Sequence, residues 1–152
     1  MEPLSVATYA CKRANIVIGG GQKVMVTGAG PVGLLAALSA KALGAEKVCI
    51  IDINEQRLKF AKQIGIENTL CIDPNADNED VMQQIFKIFG GSPDITIECS
   101  GAESSLTLAI FATKDGGNVI LVGINHSKVT VPLASAACRE VNLLGIKRYR
   151  NR

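Results

Sequence analysis

Residues 23–33, KVMVTGAGPVG, limit what this chain can fold into more than any other stretch. Val24, Met25, Val26 and Thr27 are apolar or β-branched, with a glycine run before them and a glycine turn after, the pattern of a strand buried in a parallel sheet. The strand stops at Gly28. Gly28-Ala29-Gly30-Pro31-Val32-Gly33 matches G-x-G-x-x-G, in which Gly28 makes the tight turn, Gly30 lets the backbone approach a diphosphate, and Gly33 lets helix and strand pack closely. Pro31 suits the start of a helix, where its missing N–H costs nothing. A helix over about residues 31–43 aims its N-terminal N–H groups and the positive end of its dipole back at the loop, making an anion site.

A glycine turn alone is weak evidence, since methyltransferases and many loops carry similar ones. This turn has context. The helix stops at Gly44, and a second apolar strand, residues 48–51, ends in Asp52. A carboxylate at that tip accepts hydrogen bonds from both hydroxyls of an adenosine ribose and repels a 2′-phosphate, which predicts NAD in preference to NADP. The plainer role for Asp52 is an N-cap for the helix beginning near Glu55.

The rest of the chain alternates in the same way. A helix over residues 3–15, with Leu4, Ala7, Cys11 and Ala14 at helical spacing, leads through Gly19-Gly20-Gly21 into the first strand. A second helix spans 54–63, a third strand 68–72, and a polar cluster at 73–78 supplies a helix N-cap. Val81, Ile85, Ile88 and Phe89 then mark a crossover helix ending at Gly90-Gly91. Strand four covers 95–99, a helix 102–112, strand five 118–123, a short helix 132–139 and strand six 141–147. An excursion over 125–131 carries His126, read as an exposed loop residue. Strands alternating with helices in this way predict an α/β fold with a doubly wound parallel sheet of six strands in the order 3-2-1-4-5-6, a Rossmann fold. The tips lie along one sheet edge, with the ligand crevice between strands one and four.

At 152 residues and 47% hydrophobic, the chain has enough apolar matter for one core. A net charge of +2, mixed along the sequence, predicts no nucleic-acid partner despite the terminal cluster Lys147, Arg148, Arg150 and Arg152. No apolar run reaches the roughly 18 residues a membrane span needs, and no signal peptide is recognisable, so the expectation is a cytoplasmic protein with no membrane partner. The five cysteines are widely spaced and form no C-x-x-C, and there is one histidine. The expectation is reduced thiols, buried at Cys49, Cys71 and Cys99, with no metal site and no catalytic residue within this chain.

With these residues in hand, the sequence resembles the coenzyme domain of the medium-chain, zinc-dependent alcohol and polyol dehydrogenases, most fully the polyol branch. The resemblance runs from Glu2-Pro3-Leu4-Ser5-Val6 through the GAGPVG loop, Ile51-Asp52, residues 96–103 (TIECSGAE) and Leu121-Val122-Gly123 to Arg139-Glu140-Val141 and Arg148-Tyr149. It implies cofactor contacts at Val32, Asp52, Arg57, Val122, Gly123, Ile124, Ile146 and Arg148, beside the turn glycines. It implies that Glu2, Arg148 and Tyr149 face the polyol or a zinc-bound water. It also implies a division of the chain: residues 1–20 form a helix leading in from a catalytic domain that holds the zinc, and residues 21–152 form the NAD-binding domain. The full-length enzyme would oxidise a secondary alcohol to a ketose by zinc-assisted hydride transfer to NAD, and this fragment alone would be inactive.

Alternatives remain at this point. They are another zinc alcohol or threonine dehydrogenase, a non-catalytic NAD(H)-sensing module, and a methyltransferase-type domain. Arg57 is also readable as a solvated helix charge, and Glu2, Arg148 and Tyr149 as frayed ends. An open edge at strand six predicts homo-oligomers joined through the sheet.

Overall fold

In the computed structural model of the chain, the described residues are 2–123 and 125–147. Helices and strands alternate as α1 (Glu2–Arg13), β1 (Lys23–Thr27), α2 (Pro31–Ala42), β2 (Lys47–Asp52), α3 (Glu55–Gln63), β3 (Asn68–Cys71), α4 (Asn78–Phe89), β4 (Ile95–Glu98), α5 (Glu103–Ala112), β5 (Asn118–Leu121), α6 (Leu133–Cys138) and β6 (Asn142–Gly145). All neighbouring strands pair in parallel, and the order is β3-β2-β1-β4-β5-β6, as the sequence predicts. The reversal falls between β1 and β4, where Thr27 is in register with Glu98.

Because successive side chains of a strand point to opposite faces, each central strand feeds two cores. Val24, Val26, Ile50 and Ile97 meet the small residues of α1 and α2 on one face. Met25, Cys49 and Ile51 meet Val81, Ile85 and Phe89 of α4 and Leu108 of α5 on the other. Helix α1 lies on α2 through Ala7, Ala10 and Cys11, all fully buried, and the Cys11 thiol donates to the Ala36 carbonyl at 3.5 Å. Small side chains on both helices permit this close approach.

Several local expectations are corrected. β5 ends at Leu121 and β6 at Gly145, so Val122, Gly123, Ile146 and Lys147 lie beyond the strands rather than inside them. Cys71 is exposed, because it closes the edge strand β3, while Cys49 in central β2 is buried and Cys99, one residue past β4, is half-buried. Helix α3 is capped by Asn54, whose Oδ1 accepts from the Arg57 N–H at 3.1 Å, not by Asp52. Asp77 stands at the N-cap position of α4 without a capping bond from its side chain, and Gly90 ends that helix in the left-handed conformation. His126 is exposed, as expected.

Candidate cofactor-binding site

The three glycines of the turn occupy different surroundings. Gly28 has φ +91, its N–H donates to the Ile51 carbonyl at 2.8 Å, and a Cβ there would stand 2.9 Å from the Ser100 nitrogen. A Cβ on Gly33 would overlap the Gly28 carbonyl oxygen, so helix and turn touch backbone to backbone. A Cβ on Gly30 would meet nothing within 4 Å. Gly30 is also the N-cap of α2, no side chain caps that helix, and Pro31 follows it. The first-turn N–H groups of Val32 and Gly33 are therefore left to a ligand at the uncapped helix start. Two glycines are required by the protein's own packing, and the third fronts open space. That combination suits a diphosphate.

Asp52 ends β2 and is 8% exposed. Its Oδ2 accepts from the Ala29 N–H at 2.7 Å and its Oδ1 from the Asn54 N–H at 2.8 Å, so two backbone donors from two loops orient the carboxylate. Arg57 lies one turn into α3, with Nη1 3.8 Å from Asp52 Oδ2 and its side chain more than half exposed. At that separation in contact with water the ion pair contributes little to stability, and the guanidinium stays available above the carboxylate.

Glu98, at the end of β4, is fully buried. Its Oε1 accepts from Ser100 N–H at 3.0 Å, Ser100 Oγ at 2.6 Å, Gly101 N–H at 3.1 Å, Ser105 Oγ at 2.9 Å and Thr27 Oγ1 at 3.2 Å, and Oε2 also accepts from Gly101 N–H at 3.1 Å. None of the ion pairs among the described residues involves it. In the sequence, Glu98 stood only as one residue of the TIECSGAE motif, with no role of its own. The available signal was a carboxylate inside the apolar run ITIEC, which must find donors when buried, with Ser100, Gly101 and Ser105 following within seven residues.

The glycine turn, Asp52, Arg57 and the Thr27, Ser100 and Ser105 donors to Glu98 surround a cleft of about 410 Å³ at the C-terminal ends of the strands. Gly28, Gly30, Asp52 and Arg57 line it, as do Thr27, Ile53, the 72–74 segment, Cys99, Ser100 and Ser105. From the sequence, Asp73 and Pro74 belonged only to a polar turn cluster, and Ile72 and Ile53 had no place in the site; Ile53 is 60% exposed at the rim, which marks it only once the tip is seen to end in open space. Val32 and Gly33 sit behind the turn in α2. Val122, Gly123 and Ile146 are outside the lining; Val122 and Ile146 pack against the α1–α2 core. Gly123 lies against the next turn, since a Cβ there would stand 2.6 Å from the Cys99 carbonyl carbon and from the Gly101 nitrogen. Glu2 begins α1 and is exposed. Ile124, Arg148 and Tyr149 fall outside the described residues.

The described residues do not suit a zinc ion. No group of three or more His, Cys, Asp or Glu side chains among them is placed to hold a metal, and zinc sites draw three or four such ligands together.

Comparison with known proteins agrees with this architecture. The family model for zinc-binding dehydrogenases matches residues 31–152. Sorbitol dehydrogenase of Homo sapiens is 44% identical over 151 residues, covering 99% of this chain and 42% of that protein. The structure of 2R,3R-butanediol dehydrogenase from Bacillus subtilis superposes with a TM-score of 0.84 at 29% identity, over 99% of this chain and 42% of that one. A structure from Sinorhizobium meliloti 1021 bound to NADP superposes with a TM-score of 0.82 at 27% identity, over 97% and 43%. The chain thus spans less than half the length of the curated relatives it matches. On these grounds the chain belongs to the zinc-binding dehydrogenase family.

Proposed function

We propose that this chain is the NAD-binding part of a polyol dehydrogenase of the sorbitol type. The observation that carries the reading is the uncapped start of α2, fronted by the open face of Gly30, beside an Asp52 carboxylate fixed by two backbone donors. A diphosphate accepts from the free amides of the helix start, and the adenosine ribose donates its hydroxyls to Asp52. Each Asp52 oxygen retains lone pairs beyond those its backbone donors use. The carboxylate also sets the choice of cofactor: a 2′-phosphate brought against it meets a like charge in a buried site. The Sinorhizobium relative holds NADP, and Asp52 is the residue that argues for NAD here. Arg57 covers the ribose from the solvent side. Val122, Gly123, Ile124, Ile146 and Arg148 serve the nicotinamide half.

Bound NAD would supply a hydride acceptor for the oxidation of a secondary alcohol. The chain's own part is to hold the cofactor, orient it and reject the phosphorylated form. Glu2, Arg148 and Tyr149 are proposed to face the polyol in the longer enzyme, which oxidises a secondary alcohol to a ketose, and the zinc ligands belong to a catalytic domain outside residues 21–152. Similarity to the human sorbitol dehydrogenase, the dehydrogenase family match and the Asp52 tip together favour this over a methyltransferase or a sensing module. The five free thiols suit a cytosolic setting, and the edge position of β6 suits pairing of two copies there.

Titration of the chain with NADH, NADPH and S-adenosylmethionine tests the reading. Saturable NADH binding in the micromolar range, with NADPH weaker and S-adenosylmethionine failing to compete, is expected. No NADH binding up to about 1 mM, the top of the usual range for such sites, overturns it.

A further inference from the structure

Glu98 bonds to both sides of the sheet reversal. Its carboxylate receives Thr27 Oγ1 from the end of β1 and the Ser100, Gly101 and Ser105 donors from the loop and first turn of α5. Its main-chain carbonyl receives the Val122 and Gly123 N–H groups, each at 3.0 Å, from the end of β5. Three strand tips therefore meet at one residue. On the side-chain branch hang Thr27, Ser100 and Ser105, which line the cleft; on the carbonyl branch hangs the 122–123 segment, which lies outside it. Asn125 Nδ2 adds a second tie between these branches by donating to the Ser100 carbonyl at 3.2 Å.

A fully buried carboxylate carries a desolvation cost that its hydrogen bonds must offset, since none of the ion pairs among the described residues involves it. What the carboxylate supplies, and an apolar group does not, is one acceptor point on which five donors from two chain segments converge. We propose that Glu98 is a positioning residue for the cofactor: it fixes the distance between the cleft wall formed by Thr27, Ser100 and Ser105 and the 122–123 segment, to which the proposed function gives the nicotinamide half. This rests on the reading of the cleft as a nicotinamide-cofactor site. A ligand that reaches from that wall to the 122–123 segment depends on their spacing, and a ligand that touches only the wall does not.

The experiment compares NADH with ADP-ribose, which lacks the nicotinamide, by titration calorimetry on the unsubstituted chain and on Glu98→Met and Glu98→Gln. Methionine keeps the volume and removes the acceptor; glutamine keeps a carbonyl oxygen where the five donors meet. Expected for Glu98→Met is about tenfold weaker NADH binding, the scale of one or two lost hydrogen bonds, with ADP-ribose weakened less than threefold and Glu98→Gln restoring NADH to within about threefold. A role confined to stability would lower the melting temperature while moving both ligands alike. Should Glu98→Met fail to fold, Thr27→Val and Ser105→Ala each remove one donor, and both should weaken NADH more than ADP-ribose. Equal losses for the two ligands, or unchanged NADH binding in every folded variant, overturn the role and leave the cofactor reading standing. Failure of the unsubstituted chain to bind either ligand overturns the cofactor reading, and this role with it.

Discussion

The Ala29 N–H lies 2.7 Å from Asp52 Oδ2, so the tip of β2 is bonded into the glycine turn that follows β1. The residue expected to grade the sugar and the loop expected to hold the diphosphate are parts of one hydrogen-bonded unit. Replacing Asp52 with Ala removes the acceptor for Ala29 and Asn54 and frees Arg57 from its carboxylate neighbour. We expect stability to fall by about 1–3 kcal/mol, the cost of stranding such donors. The NADH preference over NADPH should also shrink by at least about tenfold, because a cation replaces an anion beside the 2′ position. Paired fluorescence titrations with the two reduced cofactors measure this, and an unchanged preference means the ribose is held elsewhere.

Gly30 and Gly33 should separate folding from binding. Gly30 has an ordinary φ of −75 and open space where a Cβ would go, so Gly30→Ala should change stability by less than about 1 kcal/mol. It should still weaken NADH severely, since the methyl group stands where the diphosphate approaches the backbone. Gly33→Ala drives a methyl group into the Gly28 carbonyl, and only a backbone shift relieves it. A loss of several kcal/mol, or no folded protein, is expected there. Thermal melts alongside NADH titrations distinguish the two, and a Gly30→Ala chain that binds normally would place the diphosphate away from this turn.

Cofactor binding should appear as added stability. At about 100 times the dissociation constant, NADH bound only to the folded chain raises the unfolding free energy by about 2.7 kcal/mol. Denaturant titration with and without NADH reads this directly, and the Gly30→Ala chain should show none of it.

Sheet order, strand identity and the glycine turn were legible in the sequence because each follows from local pattern: apolar runs of four or five residues, glycines at fixed spacing, a carboxylate closing the second strand. What was not legible depends on contacts between distant segments. Thr27 and Glu98 are 71 positions apart and become neighbours only once β1 and β4 pair. The exposure of Cys71 follows from β3 being the sheet's edge, which the expected strand order already implied; the apolar residues around it pointed to burial instead. The trimmed end of β5 has a similar origin, because Val122 and Gly123 turn their N–H groups to the single Glu98 carbonyl. Apolar character continued past the point where the ladder stopped, and periodicity alone had no means of seeing it.

The buried thiols predict how the fold responds to alkali. Burial pushes Cys11 and Cys49 up to about 12, with Lys47 opposing weakly at Cys49, and burial followed by the Glu98 and Cys11 neighbours pushes Cys99 up as well. In the unfolded chain each titrates near an ordinary thiol value of about 8.5. A folded pKa above the unfolded one means that the unfolded state sheds its protons first, so the stability from these groups is complete below about pH 8.5 and drains away as pH climbs toward 12. We expect roughly 1 kcal/mol lost per thiol per pH unit across that window. Urea melts from pH 8 to 10.5 on the unsubstituted chain and on Cys11→Ala should show a shallower decline in the variant, whatever lysines and tyrosines add to both. Identical slopes would mean that Cys11 titrates in the fold as it does in water. A thiol-reactive disulfide reagent at pH 8 supplies the companion measurement, labelling exposed Cys71 and Cys138 before the other three.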